Sequence, residues 1–191
     1  MAPKPKFTKQ DIILAAFDIA RADGLDSVSI RKVADRLGCS IAPIYVNFAD
    51  AEELLQRVVE HALHVAKQMI TEQRTGQPFR DIGMASLRFA REFPLLYRDL
   101  IMKNNPYMKH NEEQLNEVGE LMKEDPGLAG FSGEELRALL IKMQTFQTGL
   151  SVMVANDLFT TSVNEEQVMA MMNEAAEDFI RAARLRQAEP T

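Results

Sequence analysis

The stretch that decides the fold is Ser29-Ile30-Arg31-Lys32-Val33-Ala34-Asp35-Arg36-Leu37-Gly38-Cys39-Ser40-Ile41-Ala42-Pro43-Ile44-Tyr45-Val46-Asn47-Phe48. Ile30, Val33, Ala34 and Leu37 recur at the i, i+3, i+4, i+7 spacing of a single helix face. Ser29 stands where an N-cap belongs, and Gly38 ends the helix. After the link Cys39-Ser40, the pattern predicts another helix over about 41–48, with Ser40 as its N-cap. Pro43 falls in the first turn, where its missing N–H is tolerated. Ile44 and Phe48 are four apart and share one side of that helix, leaving the opposite side to meet something else. Two short helices joined by a glycine-containing turn form a helix-turn-helix.

Working outward, Thr8 predicts the cap of a preceding helix over 9–22, with Asp11 at its third position and Gly24 after its last turn. Asp50 and Glu53 predict the start of a long fourth helix reaching about Arg74, broken by Gly76-Gln77-Pro78. Further helices are expected over about 79–92, from Pro94, over 111–123, after Ser132-Gly133-Glu134-Glu135, and after Asn164 with Gln167 three residues on. No strand pattern or internal repeat interrupts them. The expected fold is all-α: an N-terminal three-helix helix-turn-helix domain plus a C-terminal helical bundle, about nine helices. The expected domains are 1–50, which includes a basic N-terminal arm, and 51–191.

Charge divides along the same line. The chain of 191 residues carries a net charge of −6. Residues 1–50 hold seven lysines and arginines against six aspartates, leaving −7 for 51–191. A modestly basic head on an acidic body suits a tip that meets a polyanion. Cys39 is the only cysteine, so no intrachain disulfide can form. There is no apolar signal core and no run long enough to span a bilayer, so a cytoplasmic protein without membrane partners is expected.

The segment from Thr8 to Leu55 resembles the DNA-binding domain of the TetR family. The matching residues are Ile12, Ala15, Ala16 and Gly24, then Ser29 through Ala34, Leu37-Gly38, Ser40, Ile44-Tyr45, Phe48 and Glu52 through Leu55. The resemblance implies an all-helical body, a homodimer, and release from DNA when a small ligand binds that body. Two departures stand out. Ala51 occupies the start of the fourth helix, where the family usually has Lys. The recognition helix is also unusually apolar: Ile41, Ala42, Pro43 and Val46, with Asn47 as its main polar candidate. Such a surface reads thymine methyls more readily than guanine edges.

The candidate DNA-binding residues are Lys4, Lys6, Ser29, Ser40, Ile41, Ala42, Pro43, Tyr45, Val46 and Asn47. Lys9 joins the arm as a further cation. The expected partner is double-stranded DNA with a pseudo-palindromic operator, since a dimer presents two recognition helices. Candidate walls for an unknown small-molecule ligand are His64, Phe89, Phe93, Tyr97, Met102, Tyr107, Met122, Met143 and Phe146. They are mostly aromatic or sulfur-bearing, which predicts an apolar inducer. Stripes on the last two helices predict a dimer seam of Leu139, Met143, Phe146, Leu150, Met153, Met172, Ala176 and Phe179. His61 and His64 lack further matched metal ligands, and neither a phosphate loop nor a nucleophile elbow is present. Neither catalysis nor a cofactor is therefore expected. The alternative from another class is a helical ligand-binding or protein-interaction module with weakened DNA binding, suggested by Ala51 and the acidic total.

Overall fold

The computed structural model describes residues 7–108, 111–155, 158–159 and 163–188. Among the described residues there are nine α-helices and no strand. They are α1 (Lys9–Asp23), α2 (Ile30–Leu37), α3 (Ala42–Asn47), α4 (Ala51–Gln73), α5 (Pro78–Glu92), α6 (Pro94–Tyr97), α7 (Asn111–Lys123), α8 (Gly133–Ala155) and α9 (Glu165–Ala188). The all-α expectation holds.

The local start and stop signals act as the sequence suggests. Thr8 and Asp11 close a reciprocal capping box at α1: the Asp11 N–H donates to Thr8 Oγ1 and the Thr8 N–H donates to Asp11 Oδ2. Ser132 with Glu135 does the same for α8, and Asn164 with Gln167 for α9. Gly38 sits in the left-handed region at φ 64°, letting the Cys39 N–H turn back to the Ala34 carbonyl. At α4 the Glu53 N–H donates to Asp50 Oδ1, while the Glu53 carboxylate accepts from Ala49 rather than from the cap residue itself.

The chain forms two compact units: residues 1–67 with 92–109, and residues 68–91 with 110–191. In the first unit, Ile12, Ala16, Ala20, Val33, Ala34, Ile44, Phe48 and Leu54 form the head's interior. Segment 92–109 joins them: Phe93 packs against Phe17 at 5.8 Å between ring centroids, and Leu96 and Leu100 are buried. Beyond α6 the chain makes a π turn over Arg98–Met102, closed by the Lys103 N–H on the Arg98 carbonyl. That turn carries Asp99, which is 3% exposed. Its Oδ2 accepts the Leu25 N–H at 2.8 Å, from 74 residues away. Its Oδ1 accepts from Arg98 at 2.8 Å and Lys103 at 2.9 Å. Gly24 has φ 89°, and a Cβ there would come within 2.9 Å of the same carboxylate, so both backbone and space require glycine.

The second unit is a bundle of α5, α7, α8 and α9 with the end of α4. Its core contains Phe79, Met122, Leu139, Leu140, Met143, Leu150, Val168, Met172 and Ala176. Gly83 on α5 lets that helix come close to the other two: a Cβ there would meet Met143 Cε at 3.2 Å and Met172 Cε at 3.7 Å. Arg80 pairs with Glu177 at 2.7 Å, and Arg91 with Glu165, so α5 and α9 run antiparallel. Asp125 is buried and accepts the Phe79 N–H at 3.0 Å, satisfying an orphan donor at the start of α5.

Asp99 yields a pH prediction. Burial pushes its carboxyl up, but Arg98, Lys103 and the Leu25 N–H together hold it below the ordinary carboxylate value. A lowered folded value means that its stabilisation is present above the unfolded pKa and is lost as pH falls through the folded one. Asp99→Asn keeps the shape but loses both ionic partners. Because Arg98 and Lys103 are half exposed, the loss should be about 1–2 kcal/mol at neutral pH. Urea unfolding of both proteins at pH 7 and pH 3 should show that gap narrowing in acid.

Candidate nucleic-acid interface

A helix as short as α3 cannot hold itself, so its orientation comes from what it buries. Ile44 is fully buried and Phe48 is 2% exposed, both in the head's interior. The opposite side is turned out: Ile41 is 48%, Tyr45 54% and Val46 81% exposed. Ser40 and Ala42 are exposed beside them, and Pro43 is half-buried. A core role for Tyr45 is therefore ruled out, and its hydroxyl is available to a partner. The apolar face expected of this helix is present in the structure.

Three details correct the sequence reading. The helix begins at Ala42 and is capped by Ile41 with no side-chain hydrogen bond, so Ser40 is not its N-cap. Asn47 donates its Nδ2 to the Pro43 carbonyl at 2.8 Å and is half-buried. One of its two amide hydrogens thus closes the end of α3, and this bond leaves the second hydrogen and Oδ1 uncommitted. Lys9, counted with the arm, is instead held by Glu53 at 2.9 Å and lies over the Phe48 ring at 4.8 Å. Lys4 and Lys6 lie outside the described residues.

The start of α2 supplies two cations that site selection from the sequence left out. Arg31 and Lys32 are exposed, and neither forms an ion pair among the described residues. By contrast Arg21 and Arg36 share Asp18, Arg57 holds Glu60, and Lys103 holds Asp26 and Asp99. Ser29 caps α2, its Oγ accepting the Lys32 N–H at 3.3 Å, which leaves its own O–H free to donate. The signal was legible: adjacent basic residues with no acidic residue in the first turn. A helix start of this kind suits phosphate oxygens.

The expected ligand walls are divided between the two units. Phe93, Tyr97, Met102, Tyr107 and His64 belong to the first unit; Phe89, Met122, Met143 and Phe146 belong to the second. His64 and Met102 are exposed, and Tyr97, Phe89, Met122 and Met143 are buried. Tyr107 borders a cleft of about 380 Å³ in the first unit, together with Leu25, Val28, Leu55 and Lys103. Burial, then Glu52 and Asp50, push its phenol pKa up. His61 packs edge-on against Phe17 at 4.8 Å, and burial lowers its pKa. Among the described residues no group of three potential metal ligands occurs.

The expected dimer seam also needs correction. Leu139, Met143, Leu150, Met172 and Ala176 are at most 5% exposed in the single chain, where they hold α8 against α9. Phe146 is half-buried and meets Phe179 edge-on at 6.2 Å. Leu139, Met143, Leu150, Met172 and Ala176 therefore have almost no surface left for a second copy. Met153 alone of that set is exposed, at 37%, in company with Ile141 at 51%, Val154 at 45% and Leu185 at 62%.

Two substitutions separate the roles within the head. Arg31→Ala should lower the slope of log K against log salt for DNA binding by about 0.9 for each phosphate it leaves unneutralised, at every sequence alike. Asn47→Ala should lower thermal stability, through loss of the bond to the Pro43 carbonyl, while leaving that slope unchanged. Fluorescence anisotropy across a salt series, with melting curves, reads both; a shift in base preference on Asn47→Ala would assign the second N–H and Oδ1 to a base.

Comparison with known proteins agrees with this geometry. Residues 12–58 match the family of bacterial regulatory proteins, tetR family. The chain is 29% identical over 94 residues to the tetracycline repressor protein class A from transposon 1721 of Escherichia coli, covering 49% of this chain and 43% of that protein. The match thus spans less than half the length of that relative. Among solved structures, a transcriptional regulator from Rhodococcus sp. Rha1 superposes with a TM-score of 0.68 at 14% identity, covering 92% of this chain and 97% of the other. A TetR variant from Acinetobacter baumannii AYE, in complex with minocycline, superposes with a TM-score of 0.59 at 18% identity, covering 95% and 99%. At these identities the structures establish a shared fold. Residues 12–58, the segment that builds α1 to α3 and the start of α4, are thus similar to the bacterial regulatory proteins of the tetR family.

Proposed function

We propose that this protein is a homodimeric transcription repressor that leaves its operator when a small, largely apolar molecule binds the helical body. The observation that carries the reading is the outer face of α3. Ile41, Tyr45 and Val46 are turned to solvent by the burial of Ile44 and Phe48, and the start of α2 in the same helix-turn-helix presents exposed cations. Exposed apolar side chains on so short a helix are unfavourable in water and find a use against thymine methyl groups. Ser29, Ser40, Tyr45, Arg31 and Lys32 supply the phosphate contacts, and the arm lysines Lys4 and Lys6 add to them. With one Asn47 N–H engaged at the helix end, specificity rests mainly on methyl contacts and groove shape, which favours an A·T-rich core.

The ligand-sensing half of the reading is supported by the shared fold with the minocycline-bound TetR variant and by the methionine-rich interior of the body. The effector must prefer the state that cannot bind DNA, because equal affinity for both states shifts nothing. Among the described residues no helix is long and apolar enough to cross a membrane.

Selection of bound sequences from random DNA, followed by footprinting, tests the DNA half. The expected result is a pseudo-palindrome with half-sites about one helical turn apart, or a small multiple. Recovery of no sequence above background would instead favour a helical interaction module. The dimer is tested on the exposed side of α8. Gly149 is exposed and a Cβ there meets nothing within 4 Å, so Gly149→Glu leaves the protomer intact. Sedimentation should show a wild-type dimer and a folded Gly149→Glu monomer. Leu150→Glu, by contrast, would place a charge in the protomer's own core and unfold it.

A further inference from the structure

The interior of the second unit contains four buried polar side chains among the described residues: Asp81, Asp125, Gln147 and Ser151. The two aspartates are fully engaged. Asp81 accepts the Thr75 N–H at 3.0 Å and the Thr75 hydroxyl at 2.6 Å, and Asp125 accepts the Phe79 and Gly127 N–H groups. Ser151 is different. It is 7% exposed, and its Oγ has no hydrogen-bond partner.

A serine in mid-helix ordinarily turns its hydroxyl back to the carbonyl four residues earlier. Thr145, two turns away on the same helix, does so on the Ile141 carbonyl at 2.9 Å. Ser151 does not take the corresponding Gln147 carbonyl. A buried hydroxyl without a partner is unfavourable and rare in native proteins, so its presence calls for a group that satisfies it. Helical spacing puts Ser151 one turn beyond Gln147 and two beyond Met143, on the face of α8 that is turned into the core. Met143 and Met172 meet at Gly83 in the same interior, and flexible thioether side chains can make room for a guest.

We infer that Ser151 is the polar anchor of the effector site, and that the effector is a neutral, mainly apolar molecule with a single hydrogen-bonding oxygen, such as an alcohol or phenol. This rests on the ligand-gated reading above and narrows it. Among the described residues no buried charge of the unit is left unengaged, so a charged effector would find no counter-ion there. A pure hydrocarbon would leave the Ser151 hydroxyl as unsatisfied as before.

The test uses the full chain with its methionine methyl groups labelled with carbon-13. The probes are the unbranched alcohols from 1-butanol to 1-octanol, each paired with the alkane in which methyl replaces hydroxyl. The expected result is that one or more alcohols shift the Met143 and Met172 methyl signals and bind about 3- to 10-fold more tightly than the paired alkane. In Ser151→Ala that preference should disappear while alkane binding is kept. Without any probe, Ser151→Ala should melt at the wild-type temperature or above, because no hydrogen bond is lost. Three results would overturn the inference: a lower melting temperature for Ser151→Ala, equal binding of alcohol and alkane by the wild type, or no shift of the core methyl signals by any probe. Operator affinity measured with the bound alcohol separates this from the functional reading. Ser151-dependent binding that leaves DNA affinity unchanged would refute gating and leave the anchor in place.

Discussion

The head depends on the burial of Ile44 and Phe48. Six residues of helix cannot offset the entropy of their own ordering, and α3 exists because these two side chains leave water. Each such burial is worth about 1.5–3 kcal/mol, enough to hold a single turn and a half in one orientation. Once that face is fixed inward, Ile41, Tyr45 and Val46 have no choice but to face out. Ala34, 2% exposed, is part of the same constraint, since a small side chain lets the neighbouring helices approach. The exposed apolar face of α3 is therefore a by-product of core packing.

A second constraint ties the head together over a long sequence distance. Asp99 closes the turn after α1 through the Leu25 N–H, and two cations keep it ionised while it is buried. Segment 92–109 belongs to the first unit, although the helices on either side of it belong to the second. The chain therefore passes between the units more than once. A carboxylate that accepts a backbone N–H from a distant turn is a directional tether, unlike the apolar packing around it, which tolerates sliding.

Within the body, the long stripes of α8 and α9 serve intramolecular packing. Leu139, Met143 and Leu150 meet Val168, Met172 and Ala176 in one core, with Gly83 of α5 admitting the close approach. Helix α8 keeps a partly apolar outer side with Ile141, Met153 and Val154. Both sides of α8 thus carry apolar side chains, one buried in the core and one exposed. The inner side carries the orphan hydroxyl of Ser151, a feature that stands out because the buried aspartates of the same unit are satisfied.

What the sequence alone determined is the local part: the capping boxes at Thr8, Ser132 and Asn164, the glycine stop at Gly38, the all-α class, and the helix-turn-helix with the apolar outer face of its second helix. These signals act over three or four residues, so the pattern and its physical effect are both visible in one dimension. What only the tertiary structure decided involves side chains whose partners lie elsewhere. Leu139, Met143 and Leu150 read as a free seam until α5 and α9 are seen to cover them. Asn47 reads as a wholly free amide until the geometry at the end of α3 gives one of its hydrogens the Pro43 carbonyl. Lys9 reads as a free cation until Glu53, 44 residues away, is brought to it. Periodicity shows which side of a helix is apolar, but it carries no information about which neighbour that side meets. That depends on long-range packing, which is also why Ser151 could not be distinguished from any other helical serine.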